Sequence, residues 1–326
     1  MKDVNKEFEI LSPINQLTFF GYKRYFDIFL KLFKAGKLPN CILLSGPQGI
    51  GKSTFVYHFI NYIFSINEDN KYLIDKFTID RNNASYKLVN SFTHPNFFLI
   101  QNVTDTNEIK IQQSRDLLTF LSKSTYAKDL KIVFIDKVEN LNLNASNALL
   151  KAIEEPNKNT FFLMTHDASK YISRTLQSRC FKYRVNFSTN EKKDIFINLI
   201  NQHQLDFDIN ELNENFYLDS PGNIIKCLLI LKNKKGNILN NNFECVNFLS
   251  EMYQSEKKKK NDTLTLLSFF IEKFYRDLSL SKFEYSYNYY LNYINILKNI
   301  NNMKRFNLSD KNILLYIKNI LINEQR

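Results

Sequence analysis

Apolar residues fall along this chain in two rhythms, and the change from one to the other comes near residue 186. Before it, short and mainly apolar runs stand at Cys41 to Ser45, Phe97 to Ile100, Lys131 to Asp136, Thr160 to Thr165 and Phe181 to Val185. Runs of that length bounded by polar residues predict strands, those at 41–45, 97–100 and 160–165 being buried ones. Between them, apolar positions recur at helical spacing. Helices are predicted through Tyr25, Ile28, Phe29 and Leu32, ended by Pro39, and through Phe55, Phe59, Ile60 and Ile63. Another starts at about Ile111, with Leu117, Leu118 and Leu121 on its inner side. A further one runs from Asn144 to Glu155, closed by Pro156, with Leu149, Leu150 and Ile153 inward. Strands alternating with helices predict an α/β domain over residues 1–185, a mainly parallel sheet with helices on both faces. Within it the polar stretch 65–94, rich in Asn, Asp and Lys, reads as an excursion or a flexible connection.

Beyond residue 186 strands disappear and only helical spacing remains. Residues 186–236 read as a small helical domain, 237–242 as a linker, and 237–326 as a second all-α domain. Its helices include 263–280 and 309–323, the latter with Ile313, Leu314, Ile317, Ile320 and Leu321 along one side. Tyr285, Tyr287, Tyr289 and Tyr290 invite a base-stacking reading, but without glycine-framed strands they fit helix packing or an interface better. No internal repeat is present.

Composition changes this picture little. Seven Gly and six Pro in 326 residues leave little material for tight turns, which favours long helices and disfavours an all-β fold. The formal charge of +11 suits a polyanion, yet it accompanies a general excess of Asn, Ile, Tyr and Phe and is discounted for that reason. The run Lys257 to Lys260 reads as a solvated loop or helix end, with phosphate-backbone attraction as the alternative. Cys41, Cys180, Cys227 and Cys245 are far apart, with no C-x-x-C pair, so neither a zinc ribbon nor a disulfide framework is indicated. Met1 to Lys6 lacks the apolar core of a signal peptide, and no apolar run reaches membrane-spanning length. A soluble protein of a reducing compartment, the cytoplasm, is expected.

Chemistry concentrates where the first strand ends. Gly46-Pro47-Gln48-Gly49-Ile50-Gly51-Lys52-Ser53-Thr54 is a complete G-x-x-x-x-G-K-[ST] phosphate loop, and it holds three of the seven glycines. Backbone N–H groups converge on a phosphate only where side chains are absent, and the loop must open into a helix whose N-terminus favours anions. Lys52 would reach the terminal phosphates and the Ser53 hydroxyl would bind Mg²⁺. The strand Lys131 to Asp136 ends in a carboxylate that belongs beside Ser53, where it would hold the same metal; a strand-terminating turn is the plainer alternative. Lys137 follows it and cannot accept a proton from an attacking water. Glu139 would point to a different face if the strand continued. Thr165 and His166 come to the sheet edge where ligands collect, with His166 read as a surface histidine in preference to a phosphate contact.

With these residues in hand, the chain resembles the bacterial clamp-loader family of AAA+ ATPases. The resemblance covers about residues 10–225 and rests on Gly46 to Thr54, the strand ending at Asp136, the run Asn147-Ala148-Leu149-Leu150-Lys151-Ala152-Ile153-Glu154-Glu155-Pro156, and Ser178-Arg179-Cys180. It implies a RecA-like AAA+ module, a three-helix lid and a helical collar that joins five subunits in an open ring. The implied cofactor is ATP or ADP with Mg²⁺. The implied partners are the tau/gamma and delta subunits, the sliding clamp and primed DNA, with no membrane. Arg179 would be an arginine finger offered to the ATP of a neighbouring subunit, the alternative being an ion pair within its own chain. Two departures set this chain apart from the motor subunits of that family. Lys137 stands where they carry an acidic residue, and Asp219-Ser220-Pro221-Gly222-Asn223 stands where they carry a lid arginine. A stator that binds nucleotide and turns it over poorly is expected, with a self-sufficient motor, a stand-alone P-loop kinase and a basic DNA-binding module as alternatives. Some stator-type subunits carry a four-cysteine zinc module at the place of residues 65–94; this chain has no cysteine there, and no zinc is expected.

Overall fold

Five parallel strands carry the phosphate loop: β1 (Cys41–Gly46), β2 (Phe97–Ile100), β3 (Lys131–Ile135), β4 (Thr160–Asp167) and β5 (Phe181–Arg184), in the order β2-β3-β4-β1-β5. This computed structural model describes residues 12–102, 109, 111–123, 130–157, 159–205, 207, 214–231, 241–255, 260–306 and 309–325. The expected linker at 237–242 is largely outside the described residues, as are Lys257 to Lys259 and Met1 to Lys6.

Alternate residues of the four covered strands face opposite cores, as the period of two requires, while β5 is largely exposed. Ile42 and Leu44 of β1, Ile132 and Phe134 of β3 and Leu163 of β4 enter one cluster with α1 (Lys23–Lys34) and α2 (Lys52–Ser65). Cys41, Leu43, Val133, Ile135, Phe162 and Met164 enter the other, with α4 (Ile111–Ser122), α5 (Leu143–Glu154) and α6 (Arg174–Gln177). Aromatic rings fill the first cluster: Phe26 lies within 6.1 Å of the rings of Phe19, Phe55, Phe59, Tyr62, Tyr72 and Phe77. Two expectations need correcting here. Leu118 is 39% exposed, whereas Leu117 and Leu121 are buried, because successive helical residues turn by about 100° and only one narrow stripe of α4 is covered. Residues 65–94 are built into the domain and include α3 (Ala84–Asn90). Asn83 caps α3 by accepting from Tyr86 N at 2.6 Å, and its amide reaches Glu68 and Asn70 O.

The described residues form two compact units, one within Met1–Phe207 and Glu214–Lys226, the other within Asp208–Asn213 and Cys227–Arg326. The first adds α7 (Thr189–His203), begun by a capping box in which Ser188 and Glu191 satisfy each other's backbone. It also holds the start of α8 (Pro221–Leu231). The second is helical: α9 (Asn242–Ser255), α10 (Lys260–Ser281), α11 (Ser286–Phe306) and α12 (Asp310–Gln325). Leu314, Ile317 and Leu321 form the buried stripe of α12. Of the four clustered tyrosines only Tyr289 is buried; Tyr285, Tyr287 and Tyr290 are exposed. Among the described residues no helix is long and apolar enough to cross a membrane.

Candidate functional site

The turn between β1 and α2 is possible because of its glycines. Gly49 and Gly51 have φ of +78° and +97°, the left-handed region that side chains disfavour, and Gly51 is the residue from which α2 starts. Gly46 answers a different need: a Cβ there would come within 2.5 Å of Val185 O, so the loop leaves the sheet close against the chain that follows β5. Tyr22 supports the turn from behind, its hydroxyl donating to Ile50 O at 3.1 Å. The loop therefore meets α2 with its backbone N–H groups at the helix N-terminus, where anions are favoured.

A cavity of about 290 Å³ opens over the loop, and its walls include Lys52, Ser53, Thr54, Asp136 and Thr165. The motif residues taken from distant parts of the sequence meet here. Ser53 Oγ donates to Asp136 Oδ1 at 2.6 Å, and Thr165 Oγ1 donates to the same oxygen at 2.6 Å. Thr165 is itself oriented by Lys137 N, 2.8 Å away. An alcohol and a carboxylate presented side by side form an oxygen donor set that suits a hard divalent cation such as Mg²⁺. Lys52 is 7% exposed and donates to Gly46 O and Pro47 O at 2.7 and 2.6 Å. Burial pushes its pKa down to about 8, against the opposing fields of Asp167, Glu139 and Asp136. Its ammonium thus rests on loop carbonyls and must turn outward to meet a phosphate.

Three residues stand out, of which His166 departs from its expected surface position. His166 is buried rather than on the surface: Ser45 Oγ lies 3.0 Å from Nδ1, and Nε2 donates to Lys170 O at 3.0 Å. Glu139 does reach the cavity, because β3 stops at Ile135 and Lys137 adopts a φ of 59° that swings the following turn back toward the loop. Its Oε2 accepts from Asp167 N at 3.2 Å. Arg179 is not on the cavity wall; its guanidinium pairs with Glu154 and donates to Thr175 O at 2.7 Å.

Spacing alone does not reveal what holds the loop from the front. Ser220 Oγ donates to Gln48 O and Gly222 N donates to Gly49 O at 3.0 Å, so the turn that opens α8 is bonded to the phosphate loop. A Cβ on Gly222 would meet Gly49 O at 2.6 Å. The signal was available in part, since a glycine just inside a helix start costs helix stability and asks for a reason such as close approach of another backbone.

Comparison with known proteins follows the same lines. Residues 21–189 match the family model described as DNA polymerase III, delta subunit. A DNA polymerase III subunit delta' from Buchnera aphidicola is 27% identical over 288 residues, 78% of this chain and 84% of that relative. The corresponding protein of Pseudomonas aeruginosa is 29% identical over 141 residues, 43% of this chain and 41% of its own length. A solved DNA polymerase III gamma subunit-related protein from Thermotoga maritima superposes over 91% of this chain and 99% of its own, at 17% identity and a TM-score of 0.46.

Proposed function

This chain belongs to the DNA polymerase III delta-subunit family, and on that footing we propose that it is a delta-prime clamp-loader subunit, a nucleotide-binding stator that turns over little ATP itself. In this reading, residues 1–185 are the AAA+ module, 186–236 the lid and 237–326 the collar that joins it to tau/gamma and delta subunits. The complex acts on a sliding clamp and primed DNA. ATP or ADP binds at Gly46 to Thr54, with Asp136 and Thr165 across the cavity and Mg²⁺ held by Ser53 and Asp136. Bound metal would draw charge off the phosphates; the chain's own part is to orient them through the loop N–H groups and Lys52.

The observation that carries the stator reading is the lid stretch. Where a motor would present a cation to the terminal phosphate, Ser220 and Gly222 are bonded to the loop itself, and Lys137 follows Asp136 without offering a base. Arg179 then acts for a neighbour. Its guanidinium is 31% exposed beside Glu154, a surface pair that exchanges readily for a phosphoryl group. A second reading, the tau/gamma-type motor, draws on Glu139, a carboxylate on the cavity wall.

One set of assays separates them. A fluorescent ATP analogue should bind the isolated chain and fail to bind Lys52→Ala, with turnover near background. In a reconstituted loader, Arg179→Ala should lower clamp- and DNA-stimulated ATPase by at least about tenfold. Brisk turnover by the isolated chain, abolished by Glu139→Gln, would establish the motor instead.

A further inference from the structure

Cys41 and Cys180 are separated by most of the α/β domain in sequence, yet the fold sets them side by side. The parallel register pairs Ile42 of β1 with Phe181 of β5, so the residues just before each stand at the same end of that ladder. Their sulfurs are 2.8 Å apart, the Cys41 thiol donating to Cys180 Sγ, and both are free thiols. Cys41 is buried, whereas Cys180 is half-buried. The donated proton draws the Cys180 thiol below its usual range and pushes that of Cys41 up, so the more accessible sulfur is the one that ionises.

We propose that Cys41 and Cys180 form a reversible dithiol–disulfide pair which, oxidised by a peroxide, ties the segment carrying Arg179 to strand β1. The Cys180 thiolate attacks one peroxide oxygen, the O–O bond breaks, and the departing hydroxide takes a proton to become water. Cys41 sulfur then attacks the sulfenic sulfur of Cys180. The S–S bond forms as the S–O bond breaks, and the hydroxyl leaves with the Cys41 proton as a second water. Two thiols are oxidised and one hydrogen peroxide is reduced; a dithiol reductant reverses the change by exchange. In the reduced chain the segment is held by longer backbone bonds, Arg179 N to Leu176 O at 3.2 Å and Cys180 N to Gln177 O at 3.3 Å. A covalent tie one residue beyond Arg179 restrains what those bonds leave loose. The inference does not rest on the role proposed for Arg179.

The test uses the full chain treated with hydrogen peroxide, quenched, and alkylated after unfolding. A peptide linking residues 41 and 180 with the mass loss of two hydrogens is expected, and dithiothreitol should abolish it. Cys227 and Cys245, both buried in the second unit, should alkylate fully and serve as internal controls. Cys41→Ala should leave Cys180 as a sulfenic acid captured by dimedone. Amide exchange across 179–182 should slow by at least about tenfold in the oxidised chain. Full alkylation of Cys41 and Cys180 after peroxide, a disulfide to Cys227 or Cys245 instead, or exchange unchanged in the linked form would each overturn the proposal.

Discussion

His58 lies in α2, just past the phosphate loop, with no exposed surface. Its Nε2 donates to Gln16 O at 2.9 Å and its Nδ1 takes the Tyr72 hydroxyl at 3.0 Å, an arrangement that uses the neutral ring at both nitrogens. Burial pushes its pKa down to about 3. In the unfolded chain the ring takes a proton near the ordinary value of about 6.5. Between those two values the unfolded state therefore binds more protons, so stability is lost as pH falls and regained as it rises. At pH 5 the loss from this one group is about 2 kcal/mol. His58→Gln keeps a polar amide but no titrating ring. The stability gap between wild type and variant, from urea unfolding at pH 7 and pH 5, should narrow by about 2 kcal/mol at the lower pH. An unchanged gap would mean that the ring titrates alike in the folded and unfolded chain. Arg179 is the opposite case: with its side chain 31% exposed and Glu154 41% exposed, Arg179→Ala should change unfolding free energy by less than about 1 kcal/mol. That makes it a clean probe of function. Single residues were legible where a motif fixes their company. Ser53 at the start of α2 meets Asp136 and Thr165 near the ends of β3 and β4, as the motif requires, whereas His166 is held by Ser45 and Lys170, partners no spacing rule names.

Between elements, the contact that matters most is α8 against the phosphate loop. Replacing a helical glycine by alanine ordinarily stabilises by up to about 1 kcal/mol. At Gly222 the sign should reverse, because the added Cβ would lie 2.6 Å from Gly49 O and 3.2 Å from Gly49 Cα, backbone atoms that cannot rotate away. Gly222→Ala is expected to cost about 1–3 kcal/mol by displacing the loop or the helix start. Binding of the ATP analogue should weaken with it. Unaltered affinity and a higher melting temperature would show that the loop yields freely. The elements themselves were largely written in the chain. All five strands lie where the chain predicts them; β1 to β4 are mainly apolar because they are covered on both faces, whereas β5, Phe-Lys-Tyr-Arg, is largely exposed. Residues 65–94 were not legible, because their order comes from Asn83 and Tyr72 bonding Asn61 and His58 of α2 and from Glu68 bonding Asn83 within the stretch, and polar composition alone reads as a loop.

For the whole molecule, the useful fact is where the cavity walls end. The last of them in sequence is Lys226, so the first compact unit contains every wall of the cavity proposed to hold nucleotide. Helix α8 continues to Leu231, and a cut at the unit boundary would remove its final turn together with Cys227, Leu228 and Leu229, all buried. A chain ending at residue 236 keeps that helix whole. Such a fragment should bind the ATP analogue within about twofold of the full chain, since binding free energy is set by the groups that touch the ligand. It should also fail to co-purify with tau/gamma and delta subunits, because it lacks the helices assigned to the collar. The reasons this second half is harder to read from sequence bear on the outcome. Its helices are rich in Asn and Tyr, and Phe283, Tyr287 and Tyr290 are 81%, 70% and 57% exposed, so apolar character does not separate core from surface there. Loss of nucleotide binding in the fragment, with α8 intact by circular dichroism, would show that the site needs the remaining helices; retained assembly would move the joining surface into the first unit.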